Sequence, residues 1–299
     1  MTTRYTPSGI RMRLHGSKAG TLNWLLLPGG PGLGSESLTE LADALDVPGS
    51  VWLVDLPGDG SNVARDDREV FGSWPGVIVE AAKEVSDAIF VGHSTGGMYL
   101  LATAGLHGLI CGLVLLDTAA DCSWHAQFVA MTRKHPLPAF DQAAAAYEQE
   151  PSAANLMRLA VASAEWNFTP KALDAGRALL ARLPYNGDAV AWSEAHFDHT
   201  YKEKQGSEST FPECVGSELA RQQKSTLTPV LLLLLFPGPP DFLWAHGSSK
   251  LSLDCQPEAI LCVGVLALQV TADGVHFFGI NCRHHHGTVM LLTFCGISR

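Results

Sequence analysis

Apolar positions along the first 120 residues switch repeatedly between two periods. Residues 10–14 and 21–27 read as short strands separated by a Gly/Ser turn at Gly16-Ser17 and Gly20. The period then changes: Ser37 and Glu40 have capping-box spacing, and Leu38, Leu41 and Leu45 recur at helical intervals after them. Residues 51–54 form the next apolar run, closed by Asp55 and the turn-rich stretch Leu56-Pro57-Gly58-Asp59-Gly60-Ser61-Asn62. A helical pattern over 77–85 leads to an apolar run at 88–91. A second helical pattern over 98–106 leads to another run at 112–116. Strands nearly continuous in apolar residues and alternating with helices predict a mostly parallel central sheet flanked by helices.

From about residue 121 to 199 strand signals almost vanish, and Ala, Leu, Gln and Glu dominate. This stretch reads as a helical insertion, placed where a lid over the top of the sheet would sit. Residues 230–235 and 260–270 supply two further strands. The expected organisation is an N-terminal part of the core over 1–120, a helical lid over 121–200, and a C-terminal part of the core over 201–299. From about Gln205 the composition shifts, with five of the seven cysteines, five consecutive leucines, His284-His285-His286 and many Pro/Gly turns. That tail is atypical for the rest of a core.

A hydrophobic content of 46% in 299 residues is ample for a buried interior. The 30 acidic against 20 basic residues, a net charge of -10, argue against nucleic acid and against an anionic membrane surface as partners. The longest apolar run, 230–236, falls well short of the roughly 20 residues a spanning helix needs, and Pro237 ends it. Arg4, Arg11 and Arg13, with no acid before Glu36, are in keeping with a transit peptide, but Pro7 and Gly9 break the helix such a segment requires. Seven cysteines without a CxxC pair form neither a disulfide scaffold nor a structural zinc site. The reading is a soluble cytoplasmic protein with reduced thiols and no metal.

Candidate chemistry concentrates at Gly92-His93-Ser94-Thr95-Gly96, directly between the run at 88–91 and the helix that follows. A serine on so sharp a strand-to-helix turn takes strained backbone angles, and side chains two residues to either side would collide. The turn lifts the hydroxyl clear of the sheet above the free amides of the helix N-terminus, with the Thr95 N–H aimed at a developing oxyanion. Adjacent glycines in Pro28-Gly29-Gly30-Pro31-Gly32, just after 21–27, leave the Gly29 and Gly30 amides open as further donors. The plainer alternative is a pair of Gly-rich connections that happen to include a serine.

Together these residues resemble the α/β-hydrolase superfamily. The His-Gly-Gly-Pro-Gly oxyanion motif of its proline iminopeptidase and epoxide hydrolase branches is similar to Pro28-Gly29-Gly30-Pro31-Gly32, with Pro28 where the motif has His. Its D-x-x-G-x-G-x-S loop is similar to Asp55-Leu56-Pro57-Gly58-Asp59-Gly60-Ser61. The Ser94 turn is the third match, in the family's order and spacing. The likeness is good over 10–120, extends as a lid over 121–200, and is poor beyond.

The resemblance implies an α/β-hydrolase fold with its lid after strand six, and a triad in the chain order Ser, acid, His. Gly238-Pro239-Pro240-Asp241 is similar to the family's G-x-x-D turn, which makes Asp241 the implied acid. Asp117 and Asp121 are alternatives, because some branches place the acid there, and Asp254 is a further one. Asp273-Gly274-Val275-His276-Phe277-Phe278 resembles the family's G-H-F-P loop, which makes His276 the implied base. His93 reads as a structural neighbour, and the triple histidine as a solvated run. Trp124, Trp166, Trp192 and Phe197 either line an apolar pocket or pack helices, the latter being commoner.

An epoxide hydrolase would need Asp where Ser94 stands. The expectation is therefore hydrolysis of an ester or amide through an acyl-enzyme, with a small-molecule ester, amide or short peptide as substrate and no cofactor. The rival is a non-catalytic small-molecule binding protein on the same fold, with a degenerate triad.

Overall fold

The computed structural model describes residues 2–63 and 70–202, together with the backbone of four later strands. Six strands come first: β1 Thr3–Tyr5, β2 Arg11–Ser17, β3 Asn23–Leu27, β4 Ser50–Asp55, β5 Ala88–His93 and β6 Gly112–Leu116. The later four are β7 Val230–Leu233, β8 Val263–Thr271, β9 Gly274–Gly279 and β10 Thr288–Leu291. They form one sheet in the order β1-β2-β4-β3-β5-β6-β7-β10-β8-β9. Pairing is parallel from β4 through β8 in that order, and antiparallel at β1–β2, β2–β4 and β8–β9.

Side-chain alternation along each strand splits the interior into two layers. Leu25 and Leu27 of β3, Trp52 and Val54 of β4, and Phe90 of β5 pack with α2 (Trp74–Lys83) and α3 (Thr95–Ala102). Leu26, Val51, Leu53 and Val91, the residues between them, pack on the other face with Leu38 and with Ala42 of α1 (Thr39–Ala44). Every residue of α3 is buried, as expected for a helix apolar all round that is covered on every side.

After β3 the chain moves outward to β4, then returns across β3 to β5. The order of strands therefore reverses at β3. At such a switch point the connecting loops diverge at the carboxyl edge and leave a crevice between β3 and β5.

The predicted strands are present within a few residues of their expected bounds, and β1, a short exposed edge strand, is added. Other boundaries differ. The capping box does not form: a 3-10 turn over Ser35–Leu38 comes first, the Ser37 hydroxyl donates to the Gly34 carbonyl at 2.8 Å, and α1 starts only at Thr39. Helix α3 stops at Ala102, not 106, where the Thr103 hydroxyl turns back to the Tyr99 carbonyl at 2.7 Å. Among the described residues Cys122 is a free thiol.

Between β6 and β7 the described chain is helical: α4 Trp124–Lys134, α5 Pro138–Gln149, α6 Ala153–Ala162, α7 Ala164–Asn167, α8 Leu173–Leu180 and α9 Gly187–His196. Helix α9 seats on the core. Trp192 lies 6.3 Å from Trp74, and just past the helix Phe197 lies 4.5 Å from Tyr99 of α3, ring centre to ring centre. Trp166 donates to the His135 carbonyl at 2.8 Å and contacts Phe140, so it packs inside the insertion. No helix among the described residues is long and apolar enough to cross a membrane.

Trp74 ties α2 to the loop after β4. Its ring is fully buried, edge-on to Phe71 and Tyr99, and its indole N–H donates to the Pro57 carbonyl at 2.8 Å. Trp74→Phe keeps most of the apolar volume but strands that carbonyl, so urea denaturation should show a loss of about 1–3 kcal/mol. Trp74→Ala, which also opens a cavity, should cost about 3–5 kcal/mol.

Candidate active site

Ser94 follows β5 and precedes α3 with φ 50° and ψ -123°, a backbone region that a residue with a side chain seldom adopts. Its surroundings hold it there. The Ser94 N–H donates to the Leu116 carbonyl at 2.8 Å, and its own carbonyl accepts from Gly97 N–H at 3.0 Å and the Thr118 hydroxyl at 2.7 Å. Glycine is required at position 96, because a Cβ there would collide with the Pro28 carbonyl oxygen and stand 2.7 Å from that of Leu27.

The loop after β3 presses directly on this turn. A Cβ on Gly29 would lie 2.5 Å from both the Ser94 Cβ and the His93 carbonyl oxygen, and 3.1 Å from the Thr95 nitrogen. Thr95 opens α3, so its N–H has no intrahelical acceptor. Gly30 follows with φ 58°. The hydroxyl-bearing turn, the Thr95 amide and the Gly29-Gly30 segment thus meet at the β3/β5 crevice. Hydroxyl, free amides and an open strand edge are the parts needed to bind a carbonyl group and stabilise negative charge on its oxygen.

Acids at the end of β4 and just past it fix the far side of the loop. Asp55 Oδ1 accepts the Ser35 N–H at 2.6 Å, and Asp59 Oδ1 accepts the Gly32 N–H at 2.8 Å. Arg11 and Arg13, two apart on β2 and so on one face of it, reach the fully buried Asp55 carboxylate at 2.9 and 3.3 Å and Glu36 at 3.2 and 3.0 Å. Two cations are matched by two anions, and Asp59 is left over. Burial and the neighbouring Asp55 charge push its carboxyl up to about 7, against the pull of the Gly32 and Gly34 amides. Sequence reading missed Asp59 as a site residue; the paired arginines spaced for one strand face were the available signal.

Beside the turn, burial pushes the His93 imidazole down and the Asp117 carboxyl up, each opposed by the charge of the other. Asp117 also has positive φ, 46°. It stands just past β6, next to β5, whereas Asp121 is exposed, accepting from Ser123 N–H at 2.8 Å and bridging to Lys202. The structure therefore brings Ser94, Thr95, Gly29, Gly30 and Asp117 to one end of the sheet.

Asp241, Asp254 and the triple histidine lie outside the described residues. His276, expected in a loop after the last strand, stands instead within β9, opposite Gln269 of β8, on the edge strand of the sheet. The hairpin Val263–Thr271 to Gly274–Gly279 extends the sheet through the residues read as that loop. Four strands separate β9 from β5. At about 4.8 Å per strand this is roughly 24 Å, so the pairing does not of itself bring His276 to Ser94.

A parallel sheet carrying a strained serine turn at its switch point, faced by a Gly-rich loop, defines the α/β-hydrolase class of folds. The chain belongs to the alpha/beta hydrolase family, whose profile matches residues 24–248. No curated protein matches the sequence. Among solved structures, an alpha/beta fold family hydrolase from Bacillus anthracis str. Sterne is 18% identical over 67% of this chain and 75% of its own, with a TM-score of 0.50. An esterase from Rhodococcus sp. ECU1013 is 20% identical over 79% and 80%, TM-score 0.47. A proline iminopeptidase from Mycobacterium smegmatis is 16% identical over 78% and 81%, TM-score 0.44. Likeness at these identities concerns the fold.

Asp59 gives the site a pH signature in stability. Between its usual value of 3.8 and about 7 the unfolded chain has released this proton while the folded chain still holds it. Stability contributed at this group therefore falls as pH rises through that window and levels off above it. Asp59→Asn keeps an acceptor for the Gly32 N–H and cannot ionise, so it should raise the melting temperature by several degrees at pH 8 and by much less at pH 4.5. Thermal melts across that range check it; identical pH profiles for the two proteins would contradict the assignment.

Proposed function

We propose that the chain is a serine hydrolase acting on ester or amide bonds through an acyl-enzyme. The observation that carries this reading is the Ser94 turn, strained, with the Thr95 amide and the Gly29-Gly30 segment against it. In the proposed step, Ser94 Oγ attacks the substrate carbonyl carbon and its proton passes to an imidazole base, the role that the motif likeness gives His276 with Asp241 as its acid, although the β9 pairing by itself leaves His276 short of Ser94. Charge gathers on the former carbonyl oxygen, where the Thr95 and Gly30 amides, with Gly29 shaping the loop, stabilise it. The leaving alcohol or amine takes the proton as its bond to the acyl carbon breaks. Water then repeats the sequence, releasing the acid and restoring Ser94. The helices of 121–200 serve as the lid, and small esters, amides or short peptides are the substrates. The scheme requires neither metal nor cofactor.

A second reading, a small-molecule binding protein on this fold, is favoured by one observation: His276 belongs to an edge strand distant from β5. A fluorophosphonate probe separates the two. The hydrolase reading predicts covalent labelling of the full chain that Ser94→Ala abolishes. No labelling of folded protein would favour the binder. In a labelled enzyme, Asp241→Ala should lower kcat about 10⁴-fold and His276→Ala about 10⁶-fold, each with little change in KM. Undiminished turnover would remove that residue from the mechanism.

A further inference from the structure

Asn186, immediately before α9, makes contacts that leave the helical insertion altogether. Its backbone N–H donates to the Gly32 carbonyl at 3.0 Å, and its side-chain Nδ2 donates to the Gly58 carbonyl at 2.6 Å. Its Oδ1 faces the other way and accepts the Asp188 N–H at 3.0 Å, capping α9. The approach to Gly32 is so close that a Cβ there, on a backbone with φ 96°, would collide with the Asn186 carbonyl oxygen.

Gly32 is thereby held at both polar groups of its backbone. The loop after β4 takes its N–H through Asp59, and the insertion takes its C=O through Asn186. Through Nδ2, Asn186 also holds the Gly58 end of that same β4 loop. Helix α9 is anchored in turn to the helix behind the nucleophile, since buried Ser193 lies 3.2 Å, hydroxyl to hydroxyl, from Tyr99 of α3. A closed circuit runs from α3 to α9, through Asn186 to the 28–34 loop, and back to the Ser94 turn through Gly29.

We infer that Asn186 is a positioning residue that holds the 28–34 loop in place against the Ser94 turn, so that seating of α9 and alignment of the oxyanion amides are one event. The inference rests on the proposed function for its catalytic consequence, but not for the latch itself. A simple helix cap would use only Oδ1. The Nδ2 donor serves the loop after β4 at Gly58, and that loop holds Gly32 in turn through Asp59, so Asn186→Asp separates the two roles: a carboxylate still caps α9 and suits a helix N-terminus, but it sets an acceptor against the Gly58 carbonyl.

The test is hydrogen exchange on the full chain, with fluorophosphonate labelling rate as a second readout. Asn186→Asp should speed exchange of the 28–34 and 57–61 amides about tenfold or more while leaving α2, β5 and the first turn of α9 as in wild type. The labelling rate should fall about tenfold. Asn186→Ala should loosen the same loops and fray α9 as well. Unchanged exchange over 28–34 in Asn186→Asp would overturn the latch. Exchange needs no turnover, so if wild type fails to label while the variant loses loop protection, the hydrolase reading falls and the latch stands. If labelling of wild type is brisk and the variant matches it in both rate and exchange, the latch falls and the hydrolase stands.

Discussion

A single residue held in an unfavourable conformation organises this molecule. Ser94 has a side chain yet sits at φ 50°, a placement that costs about 1–3 kcal/mol and persists only where neighbours over-determine it. The neighbours do so from three directions: Leu116 and Thr118 from the β6 side, the first turn of α3 from below, and the 28–34 loop from above. The crowding explains the small residues around the turn. A methyl group at 96 would collide with backbone carbonyl oxygens, and one at 29 with the His93 carbonyl oxygen and the Ser94 Cβ.

The second element is charge compensation beneath the loop. Asp55 can be fully buried because Arg11 and Arg13 both reach it, and Glu36 completes the balance. In exchange, the chain after β3 gains carboxyl acceptors for the Ser35 and Gly32 amides, Asp55 at the end of β4 and Asp59 in the turn that follows. The fifth group, Asp59, is the one without a matching cation, and burial, with the Asp55 charge beside it, raises its pKa. The site is thus built on the sheet and on buried ion pairs, with the insertion touching it at Asn186.

Much of this was legible from residue order. Apolar runs separated by helical periods specified β2 to β6, and glycines flanking Ser94 directly after such a run specified the turn, because those signals are local. What escaped the sequence depends on contacts between distant segments. Asn186 looks like an ordinary cap, and only its 154-residue reach to Gly32 reveals its other side; Asp59 looks like a turn residue until burial beside Asp55 is known. The capping box at Ser37 failed because the Gly34 carbonyl offered its hydroxyl a nearer partner. His276 was read as a loop residue from a motif likeness, yet the alternating chain around it is equally able to pair as a strand, and does.

The Ser94 turn stores strain that a side chain there must bear. Urea unfolding of Ser94→Gly against Ser94→Ala measures it directly, since neither variant keeps the hydroxyl and only glycine is at ease at φ 50°. The glycine variant should be the more stable by about 1 kcal/mol, after the greater freedom of glycine in the unfolded chain has been set against the strain released. A glycine variant less stable than the alanine one, the usual order elsewhere in a fold, would contradict it.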